Sequence, residues 1–447
     1  MEPGDARSQR RIFLFWVPLA ATWLMMSVEG PFLAAVIARL GDATYNLAAF
    51  GVAFSLAMLM ESPIIMMMSA ATALAADRAS FLALRRFAYT LNGLITAVMA
   101  VLLLPPVFRL VAEGAIGLPH RVAALTHVAT AILLPWPAAI GYRRFYQGIL
   151  IRNNLTRRVA YGTVVRVGSM ACTALALYAL AHLPGAWVAA AALSAGVCGE
   201  AVASRLMARA PVARTLAGGE GGAATRLSTA EIVRFYYPLA LTSLLTMGVN
   251  PLVTFFLGHS RAGLESLAVM PVVASLVFAF RSAGVAYQEV GVALLGEGGA
   301  GFLALRRFAA TLAVVLAGGL SLVAFSPLAH VWLADISGLS PELTRFALPP
   351  LRVLCMMPGL EVLLSFQRAL LVHGRRTTQV TLASGIEVGG IFLALALGIA
   401  ALDLIGAVAA ALALLLGRLA ANAFLLPPVL SPAPLAPSHH GEQGRAA

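Results

Sequence analysis

The sequence contains no lysine, and every one of its 31 basic residues is arginine. Charge of either sign is scarce, at 11% of residues, where a soluble domain carries roughly 25%. With a mean hydropathy of +0.88, that scarcity places the chain in lipid before any motif is considered. Only three cysteines occur, Cys172, Cys198 and Cys355, all inside apolar runs and none in a CxxC or Cys/His spacing. Neither a disulfide framework nor a metal site is expected. No phosphate-binding glycine loop, GxSxG elbow or HExxH pair is present, so no enzyme and no cofactor is expected. The net charge of +12 does not point to nucleic acid, because the arginines fall in short gaps between apolar stretches and form no continuous basic face.

What the sequence has in abundance is long apolar segments. Crossing a bilayer takes roughly 20 apolar residues as helix. Twelve segments qualify, at about 12–38, 46–72, 86–112, 122–148, 160–183, 186–207, 234–257, 264–292, 305–332, 344–371, 379–400 and 403–426. The first apolar run exceeds the length of a signal-peptide core and reads as a retained span. Placing the N-terminus in the cytoplasm puts 21 arginines in cytoplasmic segments, Arg143 and Arg144 among them, and five outside. By the positive-inside rule both termini are cytoplasmic.

The second abundance is repetition. FLALRRFAYTL at Phe81–Leu91 recurs as FLALRRFAATL at Phe302–Leu312, ten of eleven residues matching at an offset of 221. The same offset, within one residue, relates Pro18 to Pro238, Pro31 to Pro251, Ser62 to Ser282 and Phe145 to Phe366. Six spans separate the copies, so they run in the same direction. The expected fold is an all-α polytopic membrane protein: twelve transmembrane helices in two parallel six-helix lobes, related by a pseudo-two-fold axis along the membrane normal. The expected division is an N-lobe at 1–210, a Gly-rich linker at 211–230, a C-lobe at 231–426 and a disordered, Pro-rich tail at 427–447. Transporters built from such repeats hold substrate near the midplane and rock one half against the other.

Ionisable residues inside spans are costly, and each calls for an explanation. A helix-end or structural pairing is the plain alternative for every one of them. Glu29 lies deep in span one, before Gly30 and Pro31. Pro31 lacks an N–H and clashes with the carbonyl of Ser27, so a kink is expected with that carbonyl free. Pro63 and Pro251 are expected to kink their helices likewise. A carboxylate beside a freed carbonyl suits a proton or a cation, so Glu29, Ser27 and Glu61 are the ion-coupling candidates, with H⁺ or Na⁺ as the coupling ion. Glu61 and Arg281 are repeat equivalents of opposite sign, and an ion-pair gate between them is expected. Arg166 and Glu387 are a second such couple. Asn250, Glu289, Arg352 and Glu361 complete the candidate cavity. With no nucleotide site, the energy for transport comes from an ion gradient, the substrate's own gradient or a partner.

Certain segments resemble a known family. The Pro-Leu start of spans one and seven, and Phe145-Tyr146-Gln147-Gly148-Ile149-Leu150 after span four, resemble the multidrug/oligosaccharidyl-lipid/polysaccharide (MOP) exporter superfamily. That superfamily holds the multidrug and toxic compound extrusion (MATE) proteins and lipid flippases. The segments Leu47–Leu56, Phe235–Leu241 with Asn250–Val253, and Pro350–Val353 with Pro358 and Arg375-Arg376-Thr377 look like its progressive ankylosis branch. That resemblance implies efflux of small polyanions such as ATP, citrate or pyrophosphate, with Arg352 as an anion contact. Asn250 stands where animal members of the branch carry Arg, and the span-one acid is displaced by one position. A polyspecific H⁺- or Na⁺-coupled multidrug antiporter, a flippase for lipid-linked precursors and a non-transporting membrane scaffold are the other readings. The expected setting is a bacterial inner membrane, the expected partners a small solute and lipid, and the expected state a monomer.

Overall fold

A computed structural model describes residues 9–75, 77–153, 155–180, 183–217, 228–295, 301–373 and 376–430. Most of the expected linker and the tail beyond residue 430 lie outside them. The described chain is helical. Eleven helices are long and apolar enough to cross a membrane, and a bent pair supplies a twelfth. In chain order the spans are Gln9–Ala38, Ala43–Glu61, Arg78–Leu102, His120–Arg152, Arg157–Leu180 and Gly185–Met207, then Thr229–Gly258, Gly263–Leu294, Phe302–Phe325, Pro341–Val372, Thr378–Ala401 and Gly406–Pro427. Span three is the bent member, turning by 76° into Pro105–Ala115. The last helix continues to Leu430, past the expected start of the tail. At the other edge of the linker, Arg209–Ala217 is a short helix that buries Pro211 and Val212.

Local chemistry accounts for the helix ends. Asp77 caps span three by accepting from the Ser80 N–H, and the Ser80 hydroxyl returns the bond to the Asp77 N–H. Ser228 and Glu231 cap span seven in the same reciprocal way. Span one breaks at Val28, between helices Gln9–Ser27 and Glu29–Ala38. Span seven breaks at the equivalent Gly248. Both breaks lie three residues before a proline, where the ring denies the helix a donor and crowds the preceding turn. Span two ends at Glu61 and passes through turns around Pro63 before the helix Met67–Leu74.

The repeat is written into the backbone as well. Non-glycine residues at positive φ occur at Asp42 (55°) and Ala262 (54°), and glycines at Gly117 (78°) and Gly338 (75°). One-turn π-helices occupy Leu110–Ala115 and Val331–Ile336, again 221 apart.

The chain forms two compact units whose boundaries differ from a simple division into sequence halves. One unit holds span one as far as Phe32, Ser260–Ala262 and the chain from Val269 onward. The other holds Leu33–His259 and Gly263–Ala268. Spans one and seven have thus changed places. In the first unit Ile12 and Trp16 pack with Tyr287, Leu305, Phe308 and Phe366. Trp16 Nε1 donates to the Ala283 carbonyl at 2.9 Å, and its ring meets Phe308 edge-on at 6.0 Å. In the second unit Ile232 and Tyr236 pack with Phe81, Phe145 and Tyr146. There the Tyr236 hydroxyl donates to the Pro63 carbonyl at 2.6 Å, and its ring meets Phe87 edge-on at 5.4 Å. Trp16 and Tyr236, Ala283 and Pro63, and Phe308 and Phe87 are all repeat equivalents, so one docking geometry is used twice.

Candidate functional site

Each unit contains a buried network of charges, and the two networks have opposite signs on corresponding helices. In the unit beginning at Leu33, Glu200 of span six accepts from Arg143 of span four in a close ion pair. Glu200 also accepts from Gln147 at 2.9 Å and lies 4.0 Å from Arg166 of span five. Arg166 rests over the Trp136 ring at 5.8 Å, and Trp136 Nε1 donates to Glu61 at the end of span two. Glu61, Arg143 and Glu200 are exposed by 5%, 4% and 1%.

In the other unit, Glu361 of span ten accepts from Arg281 of span eight at 2.6 Å and from Arg418 of span twelve at 2.6 Å. Arg418 also donates to Glu387 of span eleven at 2.9 Å. An acid between two bases in one unit therefore corresponds to a base between two acids in the other. Glu61 and Arg281 stand 220 apart in sequence, and Arg166 and Glu387 stand 221 apart. Arg143 and Glu361, like Glu200 and Arg418, are separated by 218, which shifts both by three residues along the same helix face. A lone ion at this depth costs several kcal/mol, and both arrangements satisfy each ring ion by sign alternation.

Each network also holds one further arginine. Arg144 directs an N–H at the Met68 sulfur at 3.7 Å, and Arg368 donates to the Ser384 hydroxyl at 3.2 Å. Neither is ion-paired with a carboxylate of the described residues, and the Nε of each is buried without an acceptor. Each cluster thus carries three arginines against two glutamates.

The span-one site is simpler. Glu29 is the first residue after the break and is 7% exposed. Beside it Gly30 approaches span eight so closely that a Cβ would lie 3.0 Å from that of Ser275. The Ser27 hydroxyl is engaged with the Leu24 carbonyl at 2.7 Å. Pro31 leaves the break expected of it.

Other expectations meet a different arrangement. Arg281 takes its partner, Glu361, from within its own unit, and Glu61 takes Trp136, so neither makes the expected gate pair here. An acceptor one helix away within the same unit satisfies Arg281 directly. Arg166 and Glu387 likewise enter separate networks. Arg352 is exposed, lies over the Phe325 ring at 5.5 Å and donates to the Ala324 carbonyl at 3.4 Å. There it serves the C-terminal end of span nine, where a cation complements the free carbonyls. Glu289 is exposed on the second helix of span eight, and Asn250 is exposed with its carbonyl accepting from Thr254 at 2.9 Å. Arg143 and Arg144, assigned to a cytoplasmic segment, belong to the helix Trp136–Arg152, with Arg143 buried. Removing both from the cytoplasmic count leaves 19 of 21, and the bias stands. Glu200, Arg418 and Trp136 were not singled out at all. The first two carried the signal that exposes them, an ionisable residue inside an apolar span.

No family model matches this sequence, and no curated protein matches it. Solved structures do match in fold. An inward-facing multidrug resistance MATE family transporter of the MOP superfamily superposes with a TM-score of 0.72 at 13% identity, over 94% of this chain and 98% of that one. The lipid II flippase MurJ, in an inward closed conformation, gives 0.63 at 12% identity, over 93% of this chain and 88% of that one. A MOP superfamily transporter from Pyrococcus furiosus, described as having a binding pocket of reverse polarity, gives 0.61 at 14% identity, over 96% and 97%. The chain has the MATE-like fold of the MOP superfamily.

Proposed function

We propose that this protein is a secondary transporter that exports small organic or phosphate-rich anions by alternating access. Transport is supported by a fold held in common with MATE transporters over nearly the whole chain. The anionic substrate is supported by one observation, the surplus of arginine over glutamate in both buried clusters. A guanidinium without a carboxylate inside the protein is costly, and an anionic solute offsets that cost when it enters. The superfamily member of reverse pocket polarity is a precedent for departure from its relatives' charge pattern. On this reading the protein resides as a monomer in a bacterial inner membrane with both termini cytoplasmic. Coupling runs through the buried carboxylates Glu29 and Glu61, and the substrate branch is the ankylosis-like one.

The alternative is a multidrug antiporter, favoured by the fold neighbours and by Glu29 at the helix break. Proteoliposomes with an imposed pH or Na⁺ gradient separate the two. Gradient-stimulated movement of labelled ATP or citrate supports the anion exporter. Movement of a cationic dye alone replaces it with the antiporter. Movement of a lipid-linked sugar but of neither solute replaces it with a flippase, and no movement at all leaves a membrane scaffold.

A further inference from the structure

The four acids of the two charge networks are not equivalent. Glu200 is held by Arg143, Glu361 by Arg281 and Arg418, and Glu387 by Arg418. Among the described residues, Glu61 makes no salt bridge, and its partner is the neutral indole N–H of Trp136. An acid locked to a guanidinium stays ionised, because neutralising it strands a buried cation. An acid held by a neutral donor loses much less on protonation, since Trp136 carries no charge to strand.

The surroundings of Glu61 also discriminate between ions. The charges acting on it most strongly are Arg143 and Arg144 of span four and Arg166 of span five. Glu200 of span six lies behind them, bonded to Arg143 and Gln147. From span seven the Tyr236 hydroxyl is committed to the Pro63 carbonyl. The Ser62 hydroxyl next to Glu61 is committed to the Leu59 carbonyl at 2.7 Å. A hard metal cation needs several oxygen ligands and no competing positive charge. Glu61 meets N–H donors and guanidinium groups instead, which repel such an ion and leave a proton as the cation that fits.

We propose that Glu61 takes up and releases the coupling proton, that the coupling ion is therefore H⁺ and not Na⁺, and that Trp136 is the residue that positions Glu61 for this exchange. The proposal rests on the reading of the protein as a coupled transporter. It has a precise structural contrast in the other unit. There the equivalent corner is closed by Arg281 on Glu361 through two donor contacts, at 2.9 and 2.6 Å. That corner has no proton to give at working pH, so only one of the two units carries this exchange.

The test is infrared difference spectroscopy on the full-length protein in lipid, recorded against pH without any solute, alongside transport in proteoliposomes. The expected result is a protonated-carboxyl band that grows on acidification in the wild type, is missing from Glu61→Gln and persists in Glu342→Gln, an exposed control. Trp136→Phe keeps the ring volume and removes the donor that favours the carboxylate. It should move the band's midpoint to higher pH by roughly one unit, the worth of one hydrogen bond. Transport driven by a pH gradient should fall at least about ten-fold in Glu61→Gln, in line with loss of one pK-scale unit of coupling, and a Na⁺ gradient should drive none in the wild type. A band unchanged by Glu61→Gln, no shift in Trp136→Phe, or drive by Na⁺ overturns the proposal. Because the band is read without solute, a protein that shows it yet moves no anion retains the proton site and loses the exporter reading.

Discussion

Trp16 Nε1 donates to the carbonyl of Ala283 at 2.9 Å, tying span one to the break of span eight. The equivalent bond, Tyr236 to Pro63, ties span seven to span two. The two contacts are one interaction made twice, and they hold each exchanged span in its unit. Tyr236→Phe removes only a hydroxyl and should lower stability by about 1 kcal/mol, the net worth of a hydrogen bond, with the Pro63 carbonyl left unpaired. Trp16→Phe also loses ring area against Phe308 and should cost more. Thermal unfolding in detergent, followed by intrinsic fluorescence or scattering, checks both.

Arg418 serves two acids, whereas Arg281 serves one that already has another partner. Arg418→Gln should therefore destabilise far more than Arg281→Gln, by about 3–5 kcal/mol, the usual cost of stranding a buried charge. The same logic predicts that Arg143→Glu and Glu200→Arg each unfold the protein readily while the double exchange recovers much of the loss. Unfolding midpoints of the four proteins in each series decide this, and equal effects of the Arg418 and Arg281 changes would contradict the network.

Glu29 follows the break in span one and is buried, but it is not part of either charge ring. Glu29→Gln should abolish gradient-driven transport while leaving the unfolding midpoint within about 1 kcal/mol of the wild type, the range of a substitution that keeps volume and hydrogen bonding. Transport at the wild-type rate in proteoliposomes would remove Glu29 from the coupling machinery.

Asp77 titrates outside the spans. The Ser80 backbone N–H donating to its carboxylate holds it below the usual carboxylate range. A group whose folded value is depressed contributes stability above its unfolded value and loses it as pH falls through the folded one. The cap should thus be present at neutral pH and lost on acidification. Asp77→Ala should cost about 1 kcal/mol at neutral pH, and the difference from wild type should shrink in acid. A difference independent of pH would mean that the carboxylate is not the capping group.

Much of the architecture was legible because hydropathy and repetition are local or periodic signals. An apolar run of about 20 residues must be a helix in lipid, since no water is there to satisfy its backbone. Ten matches in eleven at Phe81 and Phe302 imply two copies whatever their packing. Pro31 and Pro251 announced their breaks, because a missing N–H acts within one turn. The charged residues were harder. Arg143 and Arg144 look like a flanking pair at the end of span four, and their depth depends on where that helix stops, which is Arg152. The partner that explains Arg143 is Glu200, 57 residues and two spans away.

What the sequence by itself determined, then, is the number of spans, their common direction in the two halves and the places where they bend. Each follows from the cost of unpaired backbone in lipid or from identity at a fixed offset. The choice of ion-pair partners belonged to the tertiary structure. Sequence equivalence matched Glu61 with Arg281, but a guanidinium pairs with the nearest acceptor that its own helix bundle supplies, and for Arg281 that is Glu361. The exchange of spans one and seven was equally invisible, because their apolar faces suit either set of neighbours. It was fixed by particular contacts across long separations, Trp16 with Phe308 and Ala283, Tyr236 with Phe87 and Pro63, which exist only once the chain has folded.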